Sequence, residues 1–139
     1  MTIEVVTDLA QEPITLQGAK KVCRITGNGH DFEVDSLIRS ARVYMENQLN
    51  MSLGEKEYKV ISDRELSKDE LPFGPVTEIT NEDEDEGVYT YEYKAGIGCP
   101  EDIRQGIYFL IKHWYDIDDV AAELPKVVQQ IIKDKTLRV

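Results

Sequence analysis

Two cysteines, two histidines and a row of acids are the residues of this chain whose chemistry invites a site. Cys23 and Cys99 stand far apart, without metal-type spacing and without a motif around either. His30 lies in a glycine-rich turn, and His113 lies in an apolar run beside Trp114. A nucleophile–base pair is therefore not supported. Packed or interface histidines and reduced cytoplasmic thiols are the better reading.

The acidic run Glu82, Asp83, Glu84, Asp85 and Glu86 invites calcium. An EF-hand loop requires Gly at its sixth position and Glu at its twelfth. Counting from Asn81 puts Glu86 at the sixth; counting from Glu82 puts Tyr93 at the twelfth. Neither register works, and a solvated loop is expected. Gly96-Ile97-Gly98 before an apolar run resembles a phosphate loop, but Glu101 and Asp102 occupy the helix start where a phosphate would sit. No catalytic residue, metal or cofactor is implied, so the chain reads as a non-enzyme.

The elements that carry these residues are legible from periodicity. Thr15 is placed to cap a short helix with Leu16, Ala19, Val22 and Cys23 on one face. Gly27-Asn28-Gly29 ends it, and Asp31 can cap a second helix over about 32–49. That helix carries the stripe Val34, Leu37, Ile38, Ala41, Tyr44, Met45, Gln48 and Leu49. Short strands are expected over 57–62, 76–80 and 88–94, the last with Tyr89, Tyr91 and Tyr93 on one face.

Pro100, Glu101 and Asp102 then open a long helix with Ile103, Ile107, Leu110, Ile111 and Trp114 at helical spacing. Trp114 is expected in the core. Asp118 and Asp119 mark a loop, and Pro125 starts a last helix with Val127, Val128, Ile131 and Ile132. The fold class is α+β, mainly α: about four helices, with a small antiparallel β-hairpin or sheet inserted between the second and third. One domain over 1–139 is expected, with 1–13 extended or loosely ordered, 81–87 an acidic hairpin tip and 125–139 a C-terminal helix or tail.

Bulk properties narrow the class. The 139 residues are 41% hydrophobic and 31% charged, which are globular values. A net charge of −11 argues against a sequence-reading nucleic-acid binder. The N-terminal MTIEVVTDLAQEP lacks the basic and apolar regions of a signal peptide, and no run is long enough to span a membrane.

The order of these pieces resembles a family. Leu71-Pro72-Phe73-Gly74-Pro75-Val76, the strand ending Tyr91-Glu92-Tyr93-Lys94-Ala95-Gly96, and Pro100-Glu101-Asp102-Ile103-Arg104-Gln105 leading to His113-Trp114-Tyr115 follow the first two helices. This pattern is similar to the head–tail connector, or head-completion adaptor, family of long-tailed phages and prophages, over roughly residues 14–138.

The resemblance implies a structural protein of the virion neck, assembled in the bacterial cytoplasm. It would form a ring of about twelve copies under the portal. Its partners would be its own copies, the portal protein and the next neck or tail-completion protein, with DNA passing through unbound. Val128, Ile131, Ile132, Lys133, Lys135 and Arg138 are then candidates for portal docking, in a segment serving assembly more than folding. Glu82, Asp83, Glu84, Asp85 and Glu86 are candidates for a lumen or contact loop. The alternative is a small acidic regulatory module that mimics DNA or blocks a basic partner.

Overall fold

A computed structural model describes residues 1–116 and 124–137. The expected loop at Asp118 and Asp119 lies outside the described residues. The chain divides into two compact units, each assembled from two stretches: residues 1–11 with 50–98, and 12–49 with 99–139.

The first unit is a four-stranded antiparallel sheet in the order β1-β2-β4-β3, with β1 Thr2–Thr7, β2 Lys56–Ser62, β3 Val76–Asp85 and β4 Val88–Ala95. In register, Tyr58 faces Tyr93 and Val60 faces Tyr91. Alternation sends these four residues and Ala95 to one side, where Leu66 and Leu71 close a core. The Tyr58 ring stacks between Phe73 at 5.4 Å and Tyr93 at 5.5 Å. The tyrosine hydroxyls reach backbone: Tyr93 donates to Pro72 O at 2.6 Å, and Tyr91 accepts from Leu66 N at 2.8 Å. The expected tyrosine face of the last strand is thus the sheet's inner face.

This four-stranded sheet overturns the expectation of a mainly helical chain with only a small hairpin or sheet, although β2, β3 and β4 do lie between the second and third helices as expected. A fourth strand comes from residues 2–7, expected to be extended or loosely ordered but not to join the sheet, and pairs along β2. Every β1 side chain is exposed, and Val5-Val6 breaks the alternation that would mark a strand. Backbone pairing, not a buried face, makes β1. The other difference is at β3, which continues five residues past Thr80. Two bulges, at Thr77 and Thr80, bend it. Their hydroxyls donate to Lys94 O and Glu92 O across the ladder.

The second unit is helical: α1 Leu16–Val22, α2 Asp31–Leu49, α3 Glu101–Asp116 and α4 Lys126–Leu137. Thr15 caps α1 as expected, its hydroxyl accepting from Gly18 N at 3.0 Å. Between α1 and α2, the buried Lys20 amine ties Asn28 at 3.1 Å to Asp31 at 2.9 Å. The core holds Ala19, Val34, Ile38, Ala41, Met45, Ile103, Ile107, Leu110 and Ile111. Gly106 lets α4 approach: a Cβ there would lie 3.0 Å from Ile131 Cδ1.

Two charges run through this core. Arg42 is 1% exposed and Glu46 is 2% exposed. The Arg42 guanidinium donates to Glu12 from Nε at 3.0 Å and Nη2 at 2.7 Å, and to Glu46 from Nη1 at 2.9 Å. Burial is tolerable because every charge is paired and hydrogen-bonded.

Candidate assembly surfaces

The residues with reactive chemistry are placed for packing. Cys23 is buried on the helical unit, and burial followed by the nearby Asp116 charge raises its thiol above the ordinary range. Burial pushes Cys99 up to about 11 despite the Arg104 charge beside it. Both are protonated, poorly nucleophilic thiols at neutral pH. His30 sits 3.4 Å from Glu33, with its ring edge-on to Tyr115 at 6.4 Å. His113 is half-buried on α3. Among the described residues, no cluster of His, Cys, Asp and Glu could hold a metal ion. No described helix is long and apolar enough to cross a membrane.

The two sequence motifs meet in the sheet unit. Gly96 N donates to Pro75 O at 2.9 Å, and Ser52 N donates to Gly74 O at 2.8 Å. Asn50 Oδ1 accepts from Phe73 N at 2.9 Å, holding Phe73 at φ 59°. Gly96 has φ 95°, and a Cβ on it would collide with the Gly54 carbonyl oxygen. Beside this junction lies a cleft of about 460 Å³, lined among others by Gly54, Glu78, Lys94 and Ile97. Ile97, between two glycines at positive φ, is 82% exposed. The LPFGPV and AGIG stretches therefore form one strand-to-helix junction. The helix-start acids follow it, with Asp102 Oδ1 accepting from Ile103 N at 2.9 Å.

The acids expected at a loop tip are mostly in a strand. Glu82, Asp83, Glu84 and Asp85 pair with Tyr91, Thr90, Tyr89 and Val88 of β4. Only Glu86 is in the turn with Gly87, at φ 52° and 81°. Two positive values in a two-residue loop make the type I′ turn that suits a twisted hairpin. All five carboxylates are exposed. A solvated pair of strands imposes no apolar pattern, so the run carried no strand signal.

The proposed docking residues are divided. Val128 is 0% exposed, consumed by packing within the helical unit. Ile131 and Ile132 are half-buried, with Ile131 against Gly106, and Lys133 is exposed. The Lys135 side chain and Arg138 lie outside the described residues. Trp114, expected in the core, is only half-buried: its ring stands edge-on to Tyr44 at 5.7 Å, near the end of α3. Among the described residues, the stripe is fully buried from Ile103 through Ile111, and its last turn, with Trp114, is covered only in part. Phe32, on α2, was given no role by the sequence reading and is 84% exposed. Its signal was its position across the helix from the Val34–Ile38 stripe.

Comparison with known proteins bears on these surfaces. The sequence model described as "Phage gp6-like head-tail connector protein" matches residues 13–134. No individually curated protein matches the chain. A chain in the neck of an empty gene transfer agent (GTA) particle, computed with C6 symmetry, is similar with a TM-score of 0.79 and 17% identity, over 97% of this chain and 95% of that one. A chain in the virion of the native particle gives 0.76 and 18% identity, over 96% and 94%. A chain in the native neck computed with C12 symmetry gives 0.72 and 17% identity, over 97% and 94%. At these identities the likeness is one of fold.

Proposed function

The chain belongs to the phage gp6-like head-tail connector family, and from that membership we propose that it is a structural protein of the neck. It forms a homo-oligomeric ring that joins the portal of the filled head to the tail and extends the DNA channel. The family match over residues 13–134 is the observation that carries this reading. The fold likeness to neck chains from six- and twelvefold symmetric reconstructions supports it along nearly the whole length.

The electrostatics suit the task. A net charge of −11 gives DNA no basic track to grip, since phosphate neutralisation dominates nucleic-acid affinity. The acidic hairpin, with its five exposed carboxylates, is suited to the lumen. The outward part of α4, with Lys133 exposed and Lys135 and Arg138 following in sequence, is suited to an acidic portal surface. The ring is built in the host cytoplasm from copies of this chain, and its partners are the portal and the next neck protein.

Deletion of the gene tests this. Filled heads without attached tails are expected, with tailed particles restored by the gene supplied in trans. Tailed infectious particles from the deletion would overturn the neck role. The acidic hairpin favours a second reading, a decoy that blocks a basic partner. That reading predicts a monomer or dimer absent from finished particles.

A further inference from the structure

α2 and α3 form a shallow cleft of about 520 Å³ lined by Arg39, Ser40, Val43, Tyr44, Asn47 and Trp114. Its apolar walls are Val43 and the edge-on Tyr44–Trp114 pair. Phe32 stands on the same helix, 84% exposed in the first turn. The chain thus carries an aromatic knob and an aromatic hole. A rigid helix keeps them apart: eleven residues from Phe32 to Val43 span about 16 Å, beyond the reach of a benzyl group.

We propose that Phe32 of one copy inserts into the Tyr44–Trp114 cleft of the next, and that this contact anchors copy-to-copy assembly. The proposal rests on the ring reading and names the surfaces that make the ring. A knob and a hole at different places on identical chains give a head-to-tail contact, which generates a closed ring or an open filament. Charge agrees. The exposed carboxylates of Glu33 and Asp35 stand beside Phe32, Asp31 being held by Lys20 of its own subunit, whereas the cleft carries Arg39 at its rim. Acidic knob and basic rim set the direction of approach. One ring buries far less than the roughly 1,200–2,000 Å² of a stable interface. It is the anchor of a larger contact, of the kind where one aromatic residue carries much of the energy.

Cysteine cross-linking of the full-length protein tests this. Both native cysteines are replaced (Cys23→Ala, Cys99→Ser). Glu33→Cys, beside the knob, and Ser40→Cys, in the cleft, are made on separate preparations, mixed and oxidised. The expected yield of mixed disulfide is about tenfold above that of a Glu33→Cys and Glu84→Cys control pair. Adding Phe32→Ala removes most of the gain, because losing one buried benzyl group weakens association about tenfold. At a dilution where the parent protein is monomeric, Phe32→Ala leaves the melting temperature unchanged; a clear drop there would show that the ring packs on its own subunit and would overturn the proposal.

With both cysteines on one chain, a ladder ending at a closed ring is expected. Native mass spectrometry of the unmodified protein separates the two readings. A closed ring by mass without enrichment over the control overturns the Phe32 contact and leaves the ring standing. An enriched but open-ended ladder supports the contact and removes the ring.

Discussion

The Gly96 amide donates to the Pro75 carbonyl at 2.9 Å, so the end of β4 is held by the turn that begins β3. The bond forms because Gly96 adopts φ 95° with its α-carbon close over the Gly54 carbonyl. Gly96→Ala adds both backbone strain and a collision. It is expected to destabilise the protein by about 3 kcal/mol or more in urea unfolding. Gly87→Ala is the control. Its φ of 81° imposes strain, but no atom lies within 4 Å of the added Cβ, so a loss of about 1 kcal/mol is expected. Equal losses would show that the Gly54 approach does not matter.

Arg42 is held by two carboxylates, and removing it takes the guanidinium away from the buried Glu46 carboxylate. Arg42→Met is expected to lose about 3–5 kcal/mol. Glu12→Gln keeps the shape but weakens the clamp and should lose less. A parent-like melt of Arg42→Met would mean the pairs contribute nothing.

The half-buried Trp114 predicts a graded result on α3. Ile107→Ala, at a fully buried position, is expected to cost about 2–5 kcal/mol. Trp114→Ala is expected to cost about 1–2 kcal/mol, below the roughly 3–5 of a core tryptophan. Calorimetric melts of both variants rank them, and a larger loss for Trp114→Ala would contradict the placement.

Adjacent positions on α4 separate folding from assembly. Val128→Ala removes two buried methyl groups and is expected to cost about 2 kcal/mol. Val127→Ala, at a half-exposed site, should stay within about 0.5 kcal/mol. If Val128→Ala melts like the parent while blocking particle assembly, α4 serves docking alone.

Cys99 provides a pH test. Its folded thiol titrates at about 11, against an ordinary value of 9.0. Between these values the unfolded chain releases a proton that the folded chain keeps. Stability therefore falls as pH rises from about 9 to 11. Cys99→Ser is expected to lose that part of the alkaline slope. The rate of Cys99 alkylation should rise with a midpoint near 11; a midpoint near 9.0 would contradict the burial.

The helices were the legible part of the fold. Thr15, Asp31 and Pro100 marked their starts, and the stripes gave their inner faces through period alone. The sheet was half legible, because Tyr58, Tyr91 and Tyr93 alternate while β1 and the acidic end of β3 bury nothing. Arg42 and Glu46 were missed because charges on a helix read as a wet face, and Glu12 lies 30 positions away. The junction motifs were visible as LPFGPV and AGIG, but their contact is tertiary. Phe32 and the cleft could be found only once solvent exposure was known.

The order of strands along the chain sets a timetable. β1 is synthesised before β2, which ends at Ser62, with α1 and α2 emerging in between. At about 5–20 residues per second, β1 waits roughly 3–10 seconds for its partner. During that interval Ile3, Val5 and Val6 have no ladder to join. The nascent β1 stretch is thus exposed to wrong pairing until β2 emerges, and slowing the ribosome before Lys56 should lower the soluble yield.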